Sequence, residues 1–443
     1  MKMVAGFPYF EVELTRDGGV GDAAEVTPLQ DFIAQASATD LIAIAHGWNN
    51  DMAAARDLYA RFLGCVQTVL GRKVVPADAA RSFAVMAVLW PAITFADEEL
   101  IPTGPALLGA GVSIAFVEQQ LSHLQHALQA PEKALPLARA RALLPALPES
   151  RSAQAQFANL VRSVLPATDT EVDDASRAFF SRSGHDLMDR LAAPTPRPVS
   201  APAAGRRAAV SSHPPVAIGE AGDVAGETLT GGLSAARNLL NYSTYYLMKE
   251  RAGTVGRRGV NGVLRQLKAI SPELRIHLIG HSFGARLMAA AADGPAGQSA
   301  VPVDTLLLLQ AAFSHNAFAE KFDGARNGAF RDVLTERKVR GPILVTWTIN
   351  DRAVGIAYPL ASRLAGQDSS RLGDAADLFG GLGRNGAQHT PEGVVGTLQP
   401  VSGHYAFEPG RIYNLNADAV IHDHSDICHD EVAFAFLTAV AES

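Results

Sequence analysis

The chain has 443 residues, 48% of them hydrophobic, with 45 acidic against 38 basic side chains and a net charge of −7. That length can bury a sizeable core and implies one large domain with insertions or two smaller ones, while the modest negative balance gives no electrostatic reason to expect nucleic acid. Two cysteines, Cys65 and Cys428, are too few for a disulfide framework or a cysteine-based zinc site, and fit a reducing compartment.

In chain order, "MKMVAGFPYFEVELTRDGG" has no sustained apolar region leading to a small-residue cleavage site, so no secretory leader is expected. "PYFEVELT" (8–15) reads as a first strand, "DLIAIAHG" (40–47) as a buried strand, 51–70 as an amphipathic helix and "SFAVMAVLWP" (82–91) as a strand ended by Pro91. From about Ala96 to Leu233 the patterns are helical, at 104–128 and 232–253 above all, and a Pro/Ala/Ser-rich tract over 192–216 has the composition of a flexible segment. The longest apolar run, "ALLGAGVSIAFV", ends at Glu118 and falls short of the ~18 residues a spanning helix needs. A protein with no membrane span and a cytoplasmic location is expected.

The alternation then resumes: a helix over 259–270, the strand "RIHLIG" (275–280), strands over 303–310 and 342–349, and a last helix over 430–440. The stretch 361–420 is rich in glycine and reads as loop. Its string "LFGGLGRNGAQ" lacks the strand–loop–helix setting of a dinucleotide fingerprint, so no phosphate cradle is expected there. Strand and helix alternating at both ends imply an α/β fold with a mostly parallel central sheet flanked by helices. The implied domain plan is a first core part over 1–95, a large, mainly helical insertion over 96–233 and a second core part over 234–443.

Gly280-His281-Ser282-Phe283-Gly284 lies between that strand and a helix-forming run of Ala, Leu, Met and Arg. This is the setting of a nucleophile elbow, in which a sharp strand-to-helix turn lifts a serine above the sheet and small neighbours let strand and helix approach. The competing reading is a serine in a Gly-rich loop of another α/β protein. A serine hydroxyl needs a base to activate it and a group to orient that base. Asp351 stands at the end of the strand over 342–349, where a carboxylate reaches the top of the sheet, although Asn350-Asp351 also suits a turn. Three histidines, His422, His424 and His429, precede the last helix. His422, Asp423, His424 and Asp426 are nominal metal ligands, but no metal is expected. Cys428 lies nearby without a residue to activate it.

With His46-Gly47-Trp48 and Trp90-Pro91 upstream and "GHSFG" downstream, the chain resembles the α/β-hydrolases, and within them serine esterases and lipases, over 40–95 and 235–443. The resemblance implies an α/β-hydrolase fold in which 96–233 is a cap or lid. It also implies an acid that follows the serine and a histidine that comes last, hence Ser282, Asp351 and His424 as the triad, with His424 placed by its spacing from the acidic helix start at Asp430 and Glu431. His422 and His429 stay open as bases. Backbone N–H groups of Trp48 and Phe283 would form the oxyanion hole, with His46, Gly47, Gly280, His281 and Gly284 as supporting residues. The implied activity is hydrolysis of small carboxylic esters, with an apolar acyl or aryl group suited to the apolar helices of the insertion, and no cofactor. A serine peptidase or amidase, and a silent scaffold that binds a ligand or partner, are the alternatives.

Overall fold

The computed structural model describes residues 1–47, 52–75, 81–92, 112–166, 176–192, 227–351, 353–354 and 378–443. Trp48, the start of the helical pattern at 104–128, nearly all of the 192–216 tract and residues 361–377 lie outside them. The chain divides into two compact units, one formed by Met1–Pro102, Pro166–Phe179 and Thr244–Ser443, the other by Thr103–Leu165 and Phe180–Ser243.

The first unit holds a nine-stranded sheet: β1 (Lys2–Val4), β2 (Phe7–Glu13), β3 (Asp40–Ala45), β4 (Phe83–Leu89), β5 (Arg275–His281), β6 (Thr305–Leu309), β7 (Ile343–Trp347), β8 (Gly393–Thr397) and β9 (Ile412–Asn416). The order is β1-β2-β4-β3-β5-β6-β7-β9-β8. β1 is antiparallel to β2 and every other pairing is parallel. The central strands β3, β5 and β6 are buried on both faces but for Arg275 at the start of β5, mostly by apolar side chains, as parallel strands covered by helices on either side must be.

The alternation of side chains along each strand sorts the two faces. Ile42 and Ile44 of β3, Ile279 of β5 and Leu307 and Leu309 of β6 join one apolar cluster with helices α1 (Met52–Arg72) and α2 (Asp430–Ala441). The opposite face receives α3 (Phe283–Asp293), buried from Phe283 to Ala292. A Cβ on Gly284 would run into the backbone oxygens of Ala45 and His46, and one on Gly280 into the backbone of Gly284 and Ala285. Only glycine at both positions lets this helix lie directly on the ends of β3 and β5.

The expected helix over 259–270 is found at Asn261–Ile270, preceded by a π-helical segment over Val255–Val260. The stretch expected as loop over 361–420 differs: β8 and β9 extend the sheet there. β9 reads "IYNLN", and its central Asn414 is buried because its side chain accepts a hydrogen bond from the Ala387 N–H at 2.7 Å. β8 is an edge strand, with Val395 exposed. Short length and a polar or exposed residue in each hide the alternation that marks a strand. The glycine string is ordered around the short helix Leu382–Asn385, and a Cβ on Gly383 would meet the backbone of Gln310 and Ala311, so its glycines serve close packing.

The second unit is helical among its described residues, with helices at Ile114–Leu128, Ala134–Ala142, Arg151–Ser163 and Gly184–Ala192. Phe157, Val161, Leu187 and Leu191 are buried, and Asn238 Nδ2 donates to the Leu191 carbonyl at 2.8 Å. The long helix Glu227–Thr254 belongs to this unit up to Ser243 and to the first from Thr244. No helix among the described residues is long and apolar enough to cross a membrane.

At the end of the sheet away from Ser282, a fully buried Asp40 joins β3 to β5. It accepts hydrogen bonds from His277 Nε2 at 2.9 Å, Thr39 Oγ1 at 2.6 Å and Arg81 Nη1 at 3.1 Å, while His277 Nδ1 meets Thr305 Oγ1 at 2.9 Å. Burial alone would raise the Asp40 pKa, but the hydrogen bonds with His277 and Thr39 and the Arg81 charge outweigh it and lower it. A lowered carboxylate pKa adds stability above the unfolded value and loses it as pH falls. Asp40→Asn leaves Arg81 and His277 without their anion and should lower the unfolding free energy by about 3 kcal/mol in urea titrations at pH 7, with a smaller deficit below pH ~4. Unchanged stability at pH 7 would contradict this role.

Candidate active site

β5 ends at His281 and α3 begins at Phe283, so Ser282 alone makes the turn. Its φ of 59° and ψ of −122° lie where a non-glycine residue rarely sits, at a cost of about 1–3 kcal/mol unless the surroundings over-determine it. Here they do. The Ser282 N–H donates to the Leu309 carbonyl at 3.0 Å, and its carbonyl accepts from the N–H groups of Ala285 at 3.1 Å and Ala312 at 3.2 Å. On the outer side, a Cβ on Gly47 would stand 2.7 Å from Ser282 Cβ and 3.2 Å from its Oγ, so the loop after β3 closes on the serine and requires glycine.

Ser282 Oγ lies 2.8 Å from His424 Nε2, and His424 Nδ1 lies 2.8 Å from Asp351 Oδ2. An ionised carboxylate only accepts, so the proton between the latter pair resides on Nδ1. The Nε2 lone pair then faces the serine hydroxyl. Asp351 is fully buried and His424 retains some exposure. The other two histidines go elsewhere: His429 is the N-cap residue of α2 without a capping bond from its side chain, its Nε2 lying 2.8 Å from Asp426 Oδ1, and His422 is exposed, its backbone N–H donating to Asp426. No group of three or more His, Cys, Asp and Glu side chains among the described residues is arranged to hold a metal ion. Burial pushes the Cys428 thiol up to about 11, away from the thiolate a nucleophile needs.

Several residues that hold this line were not singled out from the sequence. Gln310, at the end of β6, donates from Nε2 to Asp351 Oδ2 at 3.3 Å and to the Gly383 carbonyl at 3.0 Å, while its Oε1 accepts from Thr346 Oγ1 at 3.0 Å. The Val354 N–H donates to Asp351 Oδ1 at 2.9 Å. Arg384 Nη1 donates to the carbonyls of Ile349 and Asp351. Asp418 ties the turn carrying Asp351 to the loop carrying His424: its Oδ1 accepts from Thr348 Oγ1 at 2.8 Å and the Ile349 N–H at 3.0 Å, and Asn350 Nδ2 donates to the carbonyls of Asp418 and Ile421. The one signal in the sequence was position, since polar Gln310 directly follows an apolar strand and so falls at the end of the sheet where the serine stands.

His46 and Trp90 sit side by side at the ends of β3 and β4, their rings stacked with centroids 5.6 Å apart. The His46 N–H donates to Tyr59 Oη at 2.8 Å, Tyr59 Oη donates to the Val88 carbonyl at 2.6 Å, and Trp90 Nε1 donates to the His46 carbonyl at 3.0 Å. His46 Nδ1 lies 2.7 Å from the Gly47 carbonyl. A carbonyl only accepts, so Nδ1 bears the proton and fixes the orientation of that peptide group. Trp48, the next residue, lies outside the described residues. Phe283 is the first residue of α3, directly after Ser282.

Comparison of the chain with protein-family models, with curated proteins and with solved structures found no match.

Burial pushes the His46 imidazole from an ordinary 6.5 down to about 4, and burial beside His424 pushes His281 down to about 3. Both are neutral in the folded chain, whereas the unfolded chain takes up protons below its ordinary value. Their contribution to stability is complete above pH 6.5 and declines as pH falls toward 4. Thermal unfolding midpoints should therefore drop over that interval, and His46→Asn should flatten the decline; an unchanged slope in the variant would contradict the assignment.

Proposed function

We propose that this chain is a serine hydrolase of the α/β-hydrolase type that cleaves carboxylic esters through an acyl-enzyme. The observation that carries the reading is the unbroken line from Ser282 Oγ to His424 Nε2 and from His424 Nδ1 to Asp351 Oδ2, each step 2.8 Å, starting from a strained strand-to-helix turn. Hydrogen-bond reach from nucleophile to base, with the base oriented by a third group, is the arrangement a weak hydroxyl needs.

In this mechanism Ser282 Oγ attacks the ester carbonyl carbon as its proton passes to His424 Nε2. Asp351 keeps the imidazole in the Nδ1–H form and stabilises the imidazolium. The developing oxyanion is held by N–H groups at the start of α3, Phe283 first, and by Trp48 after β3; donors aimed at that oxygen act most strongly where water is excluded. Collapse of the tetrahedral intermediate breaks the carbon–oxygen bond to the alcohol, which leaves with the proton from Nε2. Water then attacks the acyl-enzyme, gives a proton to Nε2, and the acid departs as Ser282 regains its hydrogen. Buried, neutral His46 and His281 add no positive charge beside the base at neutral pH. Membership of the α/β-hydrolases and a lid role for the inserted helical residues rest on the resemblance of the motifs.

Turnover of short-chain, long-chain and aryl esters beside peptide amides tests the proposal. Ester hydrolysis is expected, with kcat/KM lowered about 10⁵-fold by Ser282→Ala and about 10⁴-fold by Asp351→Asn, which favours the wrong tautomer. Preference for amides would favour the peptidase reading. Turnover that survives Ser282→Ala would remove the serine from the mechanism.

A further inference from the structure

His281 immediately precedes the proposed nucleophile, on a strand whose alternation turns His277, Ile279 and His281 to the face covered by α2. The His277 ring meets Phe436 of that helix edge-on at 6.3 Å, and Ile279 packs in the same apolar cluster. One step further along the strand, His281 lies beneath the loop that leads into α2. Its Nε2 is 2.8 Å from the backbone carbonyl of His424, and the two imidazole rings are 5.0 Å apart at 43°. Since a carbonyl only accepts, Nε2 carries the proton.

Packing alone does not account for a histidine here. The side chain is 5% exposed, and its Nδ1 has no hydrogen-bond partner among the described residues. A Cβ on Gly47 would stand 3.4 Å from that nitrogen, so it faces the backbone of the loop after β3. An unsatisfied buried acceptor lowers stability, and an apolar side chain of similar size would avoid that penalty. Among the described residues, the hydrogen bond of the His281 side chain goes to the His424 carbonyl.

We propose that His281 is a positioning residue, whose Nε2–H holds the backbone of the base at a fixed height above the serine, an inference that rests on the hydrolase reading. Consecutive residues of one strand thereby set both partners of the proton transfer: Ser282 carries the hydroxyl, and His281 anchors the peptide group of the imidazole that receives its proton. Asp351, itself held by Gln310, meets the Nδ1 side of the His424 ring, and the Asp418 carbonyl accepts from Asn350 Nδ2. The His281 bond holds the His424 backbone from the residue next to the serine in the chain.

The test uses the full-length chain with His281→Gln, His281→Asn and His281→Leu, the rate of inactivation by a fluorophosphonate, kcat and KM for an aryl ester, and thermal midpoints. A glutamine amide nitrogen falls near the place of Nε2, an asparagine amide nitrogen near that of Nδ1, and leucine has no donor. The Asn and Leu variants should react about 10- to 100-fold more slowly, with the loss in kcat rather than KM, while Gln stays within about threefold of the parent. If Leu fails to fold, the Gln and Asn variants decide alone. Equal rates in all chains, or a Gln variant as slow as Asn at an equal midpoint, would overturn the inference. A parent chain that does not react at all would instead overturn the hydrolase reading and remove its basis.

Discussion

The geometry of this site depends on how closely α3 approaches the ends of β3 and β5. Gly280 and Gly284 leave room for backbone against backbone where any Cβ would collide, and that contact forces the single residue between strand and helix into a left-handed conformation. The strain at Ser282 is then distributed over three backbone hydrogen bonds, to Leu309, Ala285 and Ala312. Helix, serine and neighbouring strand end are locked as one body, a prerequisite for placing a reactive oxygen to within a fraction of an ångström.

Around that fixed point the sheet collects its polar side chains by strand order. β5 runs into Ser282 and lies between β3, which runs into His46, and β6, which runs into Gln310; β7 leads to Asp351. The final loop before α2 crosses these ends and inserts His424 between acid and serine. Because the strands are parallel, all of these groups emerge at one end, and the opposite end holds the buried Asp40, His277 and Thr305 as a structural tie. One sheet thus separates a polar cluster that holds strands together at one end from the Ser282–His424–Asp351 line at the other.

What could be read from the sequence followed from how local each signal is. The turn at Ser282 was legible because glycine spacing, an apolar strand and an alanine-rich helix all fall within a few residues. Asp351 and His424 depended on strand ends and chain order, so they were nameable as candidates before their distances were known, though the choice among three histidines needed a resemblance. β8 and β9 escaped because Asn414 sits in the middle of a five-residue strand and Val395 faces solvent, which blurs periodicity. Gln310, Tyr59, Arg384 and Asp418 are ordinary polar residues whose roles exist only through contacts with residues far away in the chain. The proposed oxyanion donor Trp48 lies outside the described residues, so its part in the mechanism rests on the motif.

The central claim is that Ser282 is an activated nucleophile. Peptide mapping of the folded chain after treatment with a fluorophosphonate tests it most directly, since the probe forms a stable bond only to a serine whose proton can be removed. The account predicts one adduct, on Ser282, its formation slowed about a hundredfold or more when His424 is changed to alanine. Folded protein that carries no adduct, or an adduct at another serine that forms equally fast in Ser282→Ala, would contradict it.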